Sequence, residues 1–399
     1  MSIQDQTNLP REKLWTRNFV LICFSNLASF ISLQILLPTI PVYVDFLGGK
    51  KSDVGLVFGF FTISAVLIRP LVGKGLDIWG RRSIYFLGLG VFALSCLVYQ
   101  WAQTVMILLV IRFIHGFGWG ASSTAAATVV SDLIPEQRLG EGMGYFGLTS
   151  TVSMAVAPAL GLYIIGWFNF NVLFISAALL AVVALIFGAL IHYQQAPAGQ
   201  VSSQVVFIEK STLRPSLTIF FFATSYGSLI SFLVLYAAQK GIENIGIFFT
   251  VFAIVIAVIR PIAGILLDRK GYDVVVIPGT IAIFAAMLVL SRAEQLWMFL
   301  WVAVLYGIGF GSVQPSMQAM AVNNIPFHRR GAANGTFFSA FDLGIALGAV
   351  FGGMISEAVG YADMFMLASV PVGLSLVFYW VLGRKGKEKE AVKLRHSVK

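Results

Sequence analysis

The sequence predicts an all-α membrane protein of twelve transmembrane helices, arranged as two pseudo-symmetric six-helix bundles. Three observations carry that prediction. Of 399 residues, 58% are hydrophobic and only 11% charged, whereas soluble domains carry roughly 25% charged residues; mean hydropathy is +0.86. Apolar runs close to the ~20 residues that a bilayer core demands recur along the whole length, separated by short polar breaks. A dense polar stretch also occurs twice in register: Arg69, Pro70, Gly73, Asp77 and Gly80 return as Arg260, Pro261, Gly264, Asp268 and Gly271, each 191 positions later.

The elements follow in order. A polar arm, 1–17, precedes a first bundle, 18–192, with apolar runs at 18–42, 53–73, 83–101, 105–131, 141–164 and 170–192. The segment 193–213, rich in Gln, Ser, Pro and Gly, reads as a linker. The second bundle, 214–383, has runs at 214–237, 244–266, 274–291, 296–322, 331–356 and 361–383, and a basic tail, 384–399, closes the chain. The 191-residue offset also pairs Gly116, Gly118 and Gly120 with Gly307, Gly309 and Gly311, and Arg138, Gly140 and Gly144 with Arg329, Gly331 and Gly335. Spans 1 and 7 then begin on the same side, so the repeat is parallel. Transporters of this layout bind substrate between the halves near the midplane.

The net charge is +9, but its placement does not suit a nucleic-acid partner. Twenty Lys and Arg fall on the side that holds both termini and four on the other, with seven in the tail alone. By the positive-inside rule both termini are expected in the cytoplasm, with the chain multi-pass in the cell membrane and its partner the lipid bilayer. Cys23 and Cys96 lie in apolar spans without CxxC or Cys/His companions, which argues for packing and against a metal site. The polar first 17 residues and the lack of an A-x-A-like site predict no cleaved leader. Gly142 to Gly147 spells GxGxxG without a preceding strand, and Gly75 to Arg82 only imitates a phosphate loop, so no nucleotide cofactor is expected. No HExxH or Ser/His/Asp set points to an enzyme.

The loop Gly73-x-x-x-Asp77-x-x-Gly80-Arg81-Arg82, the span-4 pattern Arg112-x-x-His115-Gly116-x-Gly118 and the span-5 pattern Ala157-Pro158-x-x-Gly161 together resemble the major facilitator superfamily over essentially the whole chain. The combination is most similar to its twelve-span drug:proton antiporters. The resemblance implies a monomeric secondary transporter exporting a small, moderately apolar organic compound by proton antiport, with a proton gradient as its energy source. The alternative is a proton-coupled importer of a sugar or other metabolite. Span 1 carries Asn26 and Gln34 but no acid, a departure from multidrug exporters that take protons on a span-1 carboxylate.

Within that frame, Gly73, Asp77, Gly80, Arg81, Arg82, Asp132, Arg138 and Asp268 are expected to form a gating latch. A carboxylate suits the positive start of a helix, so Asp77 is placed against span 11 near Gly331 and Asp268 against span 5 near Gly140. Arg81, Arg82 and Arg138 are expected to engage Asp132, and Asn323 at the equivalent position predicts a weaker second latch. The alternative is that these charges only set topology. Arg112, His115 and Asp342 are proton-coupling candidates, because ionisable residues inside spans are costly and mark function. Arg112, His115, Trp119 and Ser123 share a helical face; the alternatives are a snorkelling Arg112, a packing role for His115 and a structural hydrogen bond for Asp342. The cavity is expected between spans 1, 4, 7 and 10, lined by Asn26, Phe30, Gln34, Trp119, Tyr226, Tyr306, Phe310 and Gln314. Aromatics with a few amides suit an apolar, polyfunctional ligand.

Overall fold

The computed structural model describes residues 13–49, 51–193, 207–242 and 244–397. Spans 2 to 6 are Lys51–Ile78, Arg81–Val98, Val105–Leu133, Leu139–Trp167 and Phe170–Ala189, and spans 7 to 10 are Leu213–Gln239, Gly246–Lys270, Asp273–Ser291 and Leu296–Val322. Span 1, Arg17–Leu36, is interrupted before Pro38 and resumes as Thr39–Phe46. Proline has no N–H to give the helix, and the Thr39 hydroxyl donates to the Ile35 carbonyl at 2.9 Å. The last apolar stretch, Phe327–Gly383, is 57 residues long. Within it Gly360 stands at φ 84°, ψ 168°, outside helical geometry, so span 11 ends at 359 and span 12 begins at 361. Helix Ser369–Ser397 continues through the described part of the predicted tail. Of the predicted linker, 194–206 lies outside the described residues.

Local chemistry sets the ends. Thr16, Thr104 and Asn169 each accept a hydrogen bond from the backbone N–H three residues on, capping spans 1, 4 and 6. The motif glycines Gly80 and Gly271 stand at φ 87° and 83°. A residue with a Cβ adopts that region at a cost, which is why both tight reversals keep a glycine.

Small residues let the helices of each half approach closely. A Cβ at Gly118 would lie 2.5 Å from the Phe92 backbone, and one at its twin Gly309 would lie 2.5 Å from the Gly279 carbonyl. Spans 4 and 10 therefore sit tightly against spans 3 and 9. One core cluster lies wholly in the second half and another in the first. The third joins Val72, Leu76 and Val129 to Ala263, Leu267, Ala319 and Ala333, so the halves share apolar burial on the side of the loop motifs. The outer surface exposes Leu67, Leu71, Leu87, Leu94, Ile254 and Ile262, as a lipid-facing belt requires. Exposed Trp101, Trp167 and Trp297 ring one end, and Trp15, Trp79 and Trp380 the other, the arrangement of interfacial aromatics.

Candidate functional site

On the motif side, each half presents a carboxylate to the other. Asp77 accepts from the backbone N–H groups of Gly331 and Ala332, both at 3.0 Å. Asp268 accepts from Gly140 at 2.8 Å and Glu141 at 2.9 Å. These are the starts of spans 11 and 5, where free N–H groups and the helix dipole favour an anion. Glycines make the approach possible: a Cβ at Gly73 would lie 2.8 Å from the Gly331 carbonyl, and one at Gly264 would lie 2.5 Å from the Gly140 carbonyl. Spans 2 and 11, and spans 8 and 5, thus meet backbone to backbone.

The charges around the two caps differ. Arg81 donates to Asp132 at 3.0 Å, to Asp77 at 3.0 Å, to the Leu76 carbonyl at 2.7 Å and to the Phe327 carbonyl in the other half. Asp132 also pairs with Arg330 at 3.3 Å. Arg82 and Arg138 do not join Asp132 as the sequence suggested. Arg82 is exposed over the Phe86 ring, because consecutive helical residues face different directions. Arg138 grips Glu141 three residues on, at 2.7 and 2.8 Å. In the second half, Tyr272 and Asn323 replace Arg81 and Asp132, and a neutral hydrogen bond replaces the ion pair. Burial raises the Tyr272 phenol to about 12, so this contact stays uncharged at physiological pH.

Deeper between the halves lies a second matched set. Arg69 of span 2 donates through Nε at 2.9 Å to Oδ2 of Asp342 of span 11, and its Nη2 lies 2.7 Å from the same oxygen. Its Nη1 reaches Ser123 at 3.1 Å and Thr124 at 2.8 Å. The twin Arg260 of span 8 uses Nη1 on the Gly147 carbonyl and on Ser150 at 3.2 Å, and Nη2 on Gln314 at 3.1 Å. Gln314 occupies the position equivalent to Ser123, and Thr151 that equivalent to Asp342.

Arg112 and His115 come together, but apart from Asp342. Arg112 is fully buried near the end of span 4 remote from the motifs, its guanidinium 4.4 Å from the Phe61 ring centre and 3.4 Å from the Tyr99 hydroxyl. His115 contacts Tyr99 at 2.8 Å and packs edge-on or tilted among the rings of Phe61, Phe92 and Tyr99. Both sit inside the first bundle. Asp342 instead lies on the interface between the bundles.

Among the cavity residues, Asn26 donates to Thr149 at 2.6 Å, and Phe30 meets Trp119 edge-on with ring centres 4.8 Å apart. Gln34 is half-buried. Tyr226 lies between Phe310 at 4.5 Å and Tyr306 at 6.3 Å, and Tyr306 donates to Ser225 at 3.4 Å. Gln314 and Tyr226 lie by Arg260 on the second-half side, with Phe310 against Tyr226. The sequence reading missed four participants. Arg69 and Arg260 passed as the first residues of a loop motif, although each lies deep in an apolar run. Arg330 reads from sequence only as one of the twenty Lys and Arg on the side of the termini. Glu209, buried at the linker's end, pairs with Arg329 at 2.6 Å.

Two six-span halves, closed against each other on one side and enclosing charged groups between them, define a membrane transporter. The model for the Major Facilitator Superfamily matches residues 22–243 and again 215–398, and the chain belongs to that family. An uncharacterized MFS-type transporter of Methanocaldococcus jannaschii is 24% identical over 89% of this chain and 95% of its own length. The multidrug resistance protein MdtG of Proteus mirabilis is 23% identical over 95% and 99%. Among solved structures, the human organic anion transporter TETRAN superposes with a TM-score of 0.77 at 18% identity, covering 91% of this chain and 99% of that one.

Proposed function

We propose that the protein exports a small, moderately apolar organic compound by proton antiport, rocking its two halves about a midplane cavity as a monomer. The motif side is the cytoplasmic one, where the excess of Lys and Arg lies. With that side closed, the cavity is presented outward. The observation that carries the reading is the ion pair of Arg69 with Asp342, 2.7 Å long and shared between the halves. A proton on Asp342 removes the charge that holds the two halves together there, so protonation and the rocking equilibrium are coupled. The resemblance of span 5 to antiporters and the name of the Proteus relative favour export.

Reconstituted protein under an imposed pH gradient tests this, with candidate compounds from a resistance screen. Accumulation is expected to follow the gradient and to reverse with it. Accumulation indifferent to the gradient in both directions would remove proton antiport. Growth rescue on a sole carbon source, without resistance to any compound, would favour import.

A further inference from the structure

We propose that Arg260 is the docking point for a carboxylate of the transported compound, which makes the cargo an organic anion. The inference rests on the transport reading above and adds the substrate class. It comes from comparing two guanidinium groups that the repeat places in equivalent positions. Arg69 is 2% exposed and Arg260 3%. Arg69 turns its Nε/Nη2 edge to a carboxylate, with both nitrogens within 3 Å of one oxygen, Oδ2 of Asp342. On Arg260 the same edge has no carboxylate among the described residues. Nη2 meets only the neutral amide oxygen of Gln314, and Nε has no hydrogen-bond partner among those residues.

A buried donor left without a partner calls for an explanation, and an ionised group inside a membrane span is by default functional. The side-on edge of a guanidinium matches a carboxylate in two parallel hydrogen bonds. Gln318, whose amide oxygen accepts from Gln314 at 3.3 Å, also has an orphaned buried donor, Nε2. One chain of polar side chains thus holds two unsatisfied donors. The rest of the surroundings suits an organic body better than a hydrated inorganic ion. Tyr226 lies within electrostatic reach of the guanidinium, and its ring is 4.5 Å from that of Phe310. Gly147 lets Arg260 come close, since a Cβ there would collide with Nη1, whereas the twin position holds Phe338, over whose ring Arg69 lies at 5.0 Å.

Thermal unfolding of the full-length protein in detergent tests this without any ion gradient. Benzoate, 1-naphthoate and decanoate are each compared with their amides and with sodium chloride at equal ionic strength. At least one carboxylate is expected to raise the melting temperature saturably, and its amide is not. Arg260→Gln should weaken that apparent affinity at least tenfold. Thr151→Asp supplies the missing counter-ion from within, so it should raise the melting temperature unaided and abolish the response; it also serves if Arg260→Gln folds poorly. The proposal is overturned if no carboxylate exceeds both its amide and chloride, or if the response survives in both variants. Because no gradient is applied, failure of proton coupling would leave these results unchanged, and the two readings fall separately.

Discussion

Asp132 of span 4 and Arg330 of span 11 form an ion pair at 3.3 Å across the two halves, while their twins, Asn323 and Leu139, carry no charge. The closed face is therefore two unequal fastenings built on one template. On one side, Asp77, Arg81, Asp132 and Arg330 form a continuous network. On the other, Asp268 caps span 5 beside the neutral pair of Tyr272 with Asn323. Parting of the halves on this side must break both.

Asp77→Asn should cut transport strongly while leaving the protein folded, and Asp268→Asn should do less. An amide keeps one acceptor oxygen but turns an N–H donor toward a helix N–H. One of the two bonds at 3.0 Å is thus replaced by a donor facing a donor. Losing such a charge-assisted contact costs about 1–3 kcal/mol, which is roughly a 5- to 150-fold change in the ratio of closed to open forms. Asp77 also balances Arg81, so its loss propagates into the network. Transport rate and melting temperature, measured together, check this; wild-type transport by Asp77→Asn would reduce the motif to a topology marker.

Gly264→Ala should hold the motif face apart. Its added Cβ would lie 2.5 Å from the Gly140 carbonyl, and a backbone atom cannot swing aside as a side chain can. Spin labels on exposed Trp79 and Val274, one in each half, should report a longer mean distance in the variant, in a background free of Cys23 and Cys96. Gly59→Ala, where a Cβ would meet nothing within 4 Å, should leave the distance unchanged.

Much of this was legible in the sequence because the repeat doubles every signal. The apolar runs fixed the spans to within a few residues, except where Pro38 and Gly360 act on the backbone locally. Asp77 and Asp268 could be placed because a carboxylate beside a glycine-led helix start has a plain electrostatic reason. Arg69 could not be matched to Asp342 from patterning alone, since 273 positions separate them. Yet a signal was present. One buried cation in span 2 and the one acid near the middle of a span lie on helices that the duplicated glycines bring together. Arg82 and Arg138 were misplaced because spacing does not say which way a surface side chain turns, and a close local acid such as Glu141 wins over a distant one.

Asp342→Asn should uncouple transport from the pH gradient and also destabilise the protein, because it leaves Arg69 buried without its counter-ion. Breaking one partner of a buried pair costs about 3–5 kcal/mol. Combining it with Arg69→Gln removes the orphaned charge, so melting temperature should recover in the double variant while gradient dependence stays absent. A purely structural pair would instead regain both. The two readouts in one double-mutant cycle therefore separate a proton carrier from a strut.

Tyr272→Arg with Asn323→Asp should install in the second half the ion pair that the first half has between Arg81 and Asp132 at 3.0 Å. The natural phenol, raised to about 12 by burial, makes only a neutral contact inside the second half. Arg81 also donates across the interface to the Phe327 carbonyl, so an arginine at the twin position, held by its new carboxylate, adds a charge-assisted bond to the other half worth about 1.5–3 kcal/mol on the closed face. The double variant should melt at higher temperature, show a narrower label distance between Trp79 and Val274, and turn over at least several-fold more slowly. Faster turnover would mean that closing, and not opening, of this face limits the cycle, and the asymmetry between Asp132 and Asn323 would then need another cause.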